Sequence, residues 1–266
     1  MPPILFHIYG PIAIHSFGLM IALGLIVTLS LLLRDKPLQK MISHKQLETI
    51  FQLSFFSGIA GGRIWFLMTN SSMIESWTDC FTVWVGGLSI LGALIGIIGT
   101  LFIYFYYIKL PALPILDRIA LYAPLLQSIS RLGCFFAGCC FGQPTNLPWG
   151  VVYENCDSLA PLHVTLHPTQ LYSSLFLACN FIMLLCYDRY CTSKNKRSGQ
   201  ILAMYIMLMS VERFMVDFLR GDQEFFTKPG LFSCLSIQQI LAFWLFLGSL
   251  IMMDFITNYK KTDESI

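Results

Sequence analysis

Charge is scarce in this chain. Only 12% of its 266 residues are charged, while 56% are hydrophobic; soluble domains carry about 25% charge. The scarcity excludes an ordinary soluble domain, and a nucleic-acid partner is not expected. Period-two alternation is lacking, which excludes a transmembrane barrel. No basic region precedes the first apolar run, so that run reads as a retained helix and not a cleaved signal. Repeats, low-complexity tracts and a zinc-like cysteine spacing are missing too. With a mean hydropathy of +0.66, what is present is a series of apolar runs. Each approaches the roughly 20 residues that cross a bilayer.

These runs predict an all-α integral membrane protein with seven transmembrane helices. Their spans are about 12–33, 50–69, 82–108, 115–142, 169–190, 199–219 and 236–257. A single membrane domain covering 1–266 is expected. Most of the 17 Lys and Arg residues fall in alternate connections. One holds Arg34, Lys36, Lys40 and Lys45, another Lys109 and Arg118, a third Arg189, Lys194, Lys196 and Arg197, and the tail holds Lys260 and Lys261. Positive charge stays cytoplasmic, so the N-terminus is expected outside and the C-terminus inside.

The cations left over are Arg63, Arg131, Arg213, Arg220 and Lys228. An arginine at the bilayer centre costs about 2.5–3.5 kcal/mol on insertion scales, and such residues usually face an interior and a partner. Acids near them are few: Glu212 and Asp217 in the sixth helix, and Asp117 at the cytoplasmic end of the fourth. Excess buried positive charge points to an anionic ligand. The competing reading is snorkelling to the interface or local pairing.

Two stretches focus the question. In "SRLGCFFAGCCFGQPTNLPWG", helical spacing puts Cys134, Gly138 and Gly142 on one face with Arg131. Small residues there let a helix or a ligand approach the backbone. In "VERFMVDFLRGD", Arg213, Asp217 and Arg220 share a face at i, i+4 and i+7. That pattern fits an internal ion pair or a phosphate clamp, since guanidinium grips phosphate oxygens in a fork. Gly58 and Gly62 beside Arg63, and Gly92, Gly96 and Gly99, mark close-packing faces.

Nine cysteines remain to be placed. Cys179 and Cys186 read as small apolar filler. Cys80, Cys156 and Cys234 fall in outer loops, where disulfides are permitted. Cys134 and Cys139 admit three roles: nucleophile, ligand contact or filler. Among the five histidines, His7, His15, His44 and His163 read as loop or interfacial residues. His167 is the remaining base candidate, with an orienting role as the alternative.

Taken in order, "HSFGLM", "GGRIWF", "GGLSILGALIG", the signature stretch at 130–150, "HPTQLY" and "ERFMVDFLR" make the chain resemble the prolipoprotein diacylglyceryl transferases over roughly residues 12–225. The resemblance implies a seven-helix enzyme of the bacterial inner membrane. It would move the diacylglyceryl group of phosphatidylglycerol, an anionic phospholipid, onto the lipobox cysteine of a prolipoprotein signal peptide and release glycerol phosphate. No metal or organic cofactor is implied. Carried over by position, Arg131, Arg213, Asp217 (in place of a glutamate) and His167 are the catalytic candidates. Arg63, Cys134, Gly138, Cys139, Gly142, Gln170 and Arg220 are the substrate-binding ones. Pro168 fits the first turn of the helix after His167. The sequence departs from the family pattern at Phe17, Leu91, Cys134, Cys139 and Gln143, where polar residues are usual. Two alternatives accompany this reading: a homologue with another acceptor or a cysteine-based covalent step, and a non-catalytic phospholipid-binding or transport protein.

Overall fold

Backbone polar groups in lipid must be satisfied within the segment, so apolar runs fold as helices. The computed structural model describes residues 3–9, 12–70, 87, 89–193, 197–222 and 235–263. The long helices are α1 (Ser16–Leu33), α3 (His44–Thr69), α4 (Ile90–Ile108), α5 (Ala112–Ala137), α6 (Thr169–Ser193), α7 (Gln200–Asp217) and α8 (Ile237–Asp263). The short α2 (Lys36–Gln39) follows α1. Strands β1 (Ile4–Tyr9) and β2 (Ile12–His15) form an antiparallel hairpin, and β3 (Val151–Val152) pairs with β4 (Thr165–Leu166). The predicted first helix therefore starts at Ser16 and not at residue 12, because residues 12–15 pair with β1.

Six of these helices are long and apolar enough to cross a membrane. The exception is α7, whose 18 residues include Glu212, Arg213 and Asp217. Outward faces carry large exposed apolar side chains, among them Ile98 and Phe102 on α4 and Ile251 and Phe255 on α8. Lipid is the solvent that suits them.

Contacts divide the chain into two compact units. The first to be described, Asp35–Ala112, holds α2, α3 and α4. Asp35 caps α2 by accepting the Leu38 N–H at 2.9 Å. Ser43 and Gln46 form a reciprocal capping box that starts α3. The backbones of α3 and α4 meet at Gly61, Gly92 and Gly96, where a Cβ on any of them would strike the facing main chain. Gly99, expected on that face, has no heavy atom of another residue near its Cβ direction among the described residues.

The second unit holds both β-pairs, α1 and α5 to α8. Leu121, Leu184 and Ile201, from α5, α6 and α7, are fully buried together. Polar links join the same helices. Ser128 and Ser174 bond each other's main chain, and Arg118 pairs with Asp188 at 2.8 Å. Asp117 makes the least obvious link. Its carboxylate accepts the N–H groups of Gly199 at 2.7 Å and Leu202 at 2.8 Å. α7 begins at a left-handed glycine with no cap of its own, so α5 supplies the negative end-group that the helix N-terminus favours. Asp117→Ala should lower stability by about 2–4 kcal/mol, as for two buried charged hydrogen bonds. Thermal unfolding in detergent reads this, and an unchanged midpoint would show that the cap contributes nothing.

Candidate functional site

The signature stretch does not continue as helix. α5 ends at Ala137, five residues short of the predicted limit at 142. Gly138 (φ 74°) and Cys140 (φ 58°) both turn left-handed. A side chain at Gly138 would collide with the Ser158 hydroxyl as well. Gly138 and Gly142 therefore do not share a helical face with Arg131; of the expected set, only Cys134 stays on the helix. The chain runs on as an extended segment with hydrogen bonds on two sides. Toward β4, Gly142 N–H donates to the His167 carbonyl at 3.1 Å and His167 N–H to the Gln143 carbonyl at 3.0 Å. Toward the end of α7, Gln143 N–H donates to the Leu219 carbonyl at 2.8 Å and Gly221 N–H to the Phe141 carbonyl at 3.0 Å. Gly142 is the point of closest approach: a Cβ there would lie 2.5 Å from both Cβ and carbonyl of His167.

This pairing gathers the charged residues. Asp217, with a fully buried side chain, sits between two arginines, 3.5 Å from Arg213 Nε and 3.7 Å from Arg220 Nη1. It also accepts a 2.6 Å hydrogen bond from the Ser236 hydroxyl. Arg220 lies beyond the helix, bridged to Gly142. It forks onto Asp222 with bonds of 2.9 and 2.8 Å. Arg213 feels the like charges of Arg220 and Arg131 as well as its attraction to Asp217. Arg131 is half-buried and, among the described residues, makes no hydrogen bond and no ion pair. Glu212 turns away: it is buried and bonded by the Ser173 hydroxyl. Among the described residues, Arg131, Arg213 and Arg220 thus share one region with Asp217 and Asp222, and the charge of Glu212 also reaches Arg213.

The remaining candidates act on the backbone. Gln170 is buried and donates to the Cys139 carbonyl at 2.8 Å and to the Tyr153 hydroxyl at 3.4 Å. Tyr153 in turn donates to the Phe135 carbonyl at 3.1 Å, and burial pushes its phenol up to about 12. Thr169, one residue earlier, donates to the Cys140 carbonyl at 2.7 Å. His167 Nδ1 lies 3.4 Å from the Tyr172 hydroxyl, which already accepts the Trp149 indole N–H at 2.8 Å. Tyr172 thus links the Trp149 indole to the His167 ring. The contact ties the His167 ring to α6. Pro168 stands just before α6, its carbonyl accepting from Leu171 and Tyr172, and not inside the first turn.

Arg63 belongs to the other unit. There it is buried, donates to the Gly87 carbonyl at 3.0 Å and lies 5.5 Å from the Phe66 ring. Leu91 and Phe17, at family polar positions, are both exposed apolar residues. Cys156 is free and exposed, while Cys80 and Cys234 lie outside the described residues, as do Lys194, Lys196 and Lys228.

With that geometry, one comparison decides the family: the model of the prolipoprotein diacylglyceryl transferases matches residues 3–255. The chain belongs to the prolipoprotein diacylglyceryl transferase family. Curated relatives agree over almost full length. A phosphatidylglycerol–prolipoprotein diacylglyceryl transferase of Clostridium tetani is 34% identical, across 98% of this chain and 100% of the relative. A second, from Clostridium perfringens, is 32% identical across 98% of each. One from Thermotoga maritima is 30% identical across 80% of this chain and 73% of its own length. As a transferase of this family, the protein matches its two clostridial relatives over nearly their whole length.

Asp222, Ser236, Tyr153 and Thr169 escaped the sequence reading. Asp222 had a signal, two residues after an arginine in "LRGD". The others reach their partners only through the fold.

Proposed function

We propose that this transferase moves the diacylglyceryl group of phosphatidylglycerol onto the lipobox cysteine of a prolipoprotein, with Arg131, Arg213 and Arg220 receiving the lipid phosphate. The observation that carries this is the gathering of Arg213, Arg220 and Arg131 around the single buried carboxylate of Asp217, with Arg131 making no hydrogen bond or ion pair among the described residues. In the reaction the substrate thiolate forms a C–S bond to the glycerol carbon. The C–O bond to phosphate breaks, and its electron pair leaves on glycerol phosphate. Placed arginines stabilise the charge that grows on that oxygen. The same cations lower the pKa of an approaching thiol, as neighbouring positive charge does. Asp217 holds Arg213 and Arg220 apart and aimed. Gln170, Thr169 and His167 hold the loop that carries Gly142.

We count α7 as a seventh span, its charges gathered toward one end. With the alternation of basic loops, this puts the N-terminus outside and the C-terminus in the cytoplasm, in a bacterial cytoplasmic membrane. The test is turnover by the full chain in phosphatidylglycerol vesicles with a lipobox peptide. Glycerol phosphate should appear only when the peptide cysteine is present. Release that ignores the peptide would point to another acceptor. Phospholipid binding without any release would make the protein a non-catalytic lipid binder.

A further inference from the structure

The turn that ends α5 has a second consequence. The sulfur atoms of Cys134, Cys139 and Cys140 all lie within 4.8 Å of one another, though the C-x4-C-C spacing resembles no ordinary zinc motif. The left-handed residues Gly138 and Cys140 fold the chain back on the last turn of α5. Cys139 Sγ then reaches the Cys134 carbonyl at 3.7 Å. Two buried side chains fix this backbone, Gln170 on the Cys139 carbonyl and Thr169 on that of Cys140. All three thiols are free.

We propose that Cys134, Cys139 and Cys140 form a three-thiolate site for a soft d10 cation of the Zn2+, Cd2+ or Cu+ class. With metal–sulfur bonds near 2.3 Å, a trigonal site needs sulfurs about 4.0 Å apart, so rotations of tenths of an ångström close the cluster. Thiolate donors select soft ions over Mg2+ or Ca2+. Each thiol loses its proton to solvent as its S–M bond forms. A divalent ion therefore exchanges for three protons, and the cluster carries one net negative charge. The charges of Arg220 and Arg131 act on Cys140 and Arg131's on Cys134, which offsets that charge. With three protein ligands the fourth position stays open.

The site lies beside the proposed phosphate arginines but does not depend on that function. The probe is Cd2+, titrated into the purified full chain with a phosphine reductant and followed by its thiolate charge-transfer absorption. Saturation at one Cd2+ per chain is expected, with affinity rising as pH rises. Cys139→Ala/Cys140→Ala should weaken binding more than about a hundredfold. Removing the exposed thiols by Cys156→Ala/Cys179→Ala/Cys186→Ala should leave it unchanged. Should the double variant unfold, as read by its melting curve, Cys140→Ser alone decides by the same loss. Equal affinity in the cluster variant and the parent would overturn the site. So would a signal that vanishes with the exposed thiols.

Discussion

Arg131→Gln is expected to abolish transfer while leaving the protein folded. Arg131 makes no hydrogen bond or ion pair among the described residues, so its loss leaves none of those groups newly unpaired. A lipid phosphate would lose a desolvated charged contact worth about 2–5 kcal/mol, or roughly 30- to 4,000-fold in rate. Arg131→Lys should recover little, because the ammonium keeps the charge but not the planar two-pronged donor. Glycerol phosphate release measures the effect, with phosphatidylglycerol binding and thermal unfolding recorded alongside. A structural arginine would instead give a misfolded variant with no separate binding defect. Normal binding and turnover in both folded variants would remove Arg131 from the phosphate site.

Asp217→Asn should damage both stability and activity. The carboxylate is fully buried and is shared by Arg213 and Arg220. Neutralising it leaves two guanidinium groups facing each other without that counter-charge. Breaking a buried ion pair from one side costs about 3–5 kcal/mol. The Ser236 hydroxyl, 2.6 Å away, can still bond an amide oxygen, so the loss isolates charge from hydrogen bonding. Asp217→Glu restores the charge on a longer stem and should recover most of the stability. Added phosphatidylglycerol should raise the melting midpoint of Asp217→Asn more than that of the parent, since the lipid phosphate supplies the missing negative charge. If Asp217→Asn melts like the parent, the arginines draw their compensation elsewhere.

Arg213, Asp217 and Arg220 were legible as a group because helical spacing is local: residues four and three apart meet without help from the rest of the fold. Their roles divide differently in space. Arg220 leaves the helix, bridges Gly142 and takes Asp222 as its fork partner, and helix periodicity carries no information about that. Gly138 and Gly142 were misplaced for the same reason. Spacing assumes that the helix continues, whereas hydrogen bonds from residues 165–167 and 219–221 reward an extended chain at 141–145. Leu91 and Phe17 show a different limit. Their identity marks departures from the family, and only their exposure shows them as apolar surface.

What the sequence by itself determined is everything that follows from composition and near neighbours. Apolar runs become helices because in lipid each must satisfy its own backbone. Arginines within apolar helices with few acids near them raise the expectation of an anion. The order of motifs places the chain in its family. Tertiary structure alone decided where α5 stops, that Asp117 on α5 caps α7 from 82 residues away, that Ser236 steadies Asp217, and that three cysteines with an unpromising spacing meet at one point. Those contacts join residues distant in sequence. Their geometry is set by how the helices pack, which no short window of residues contains.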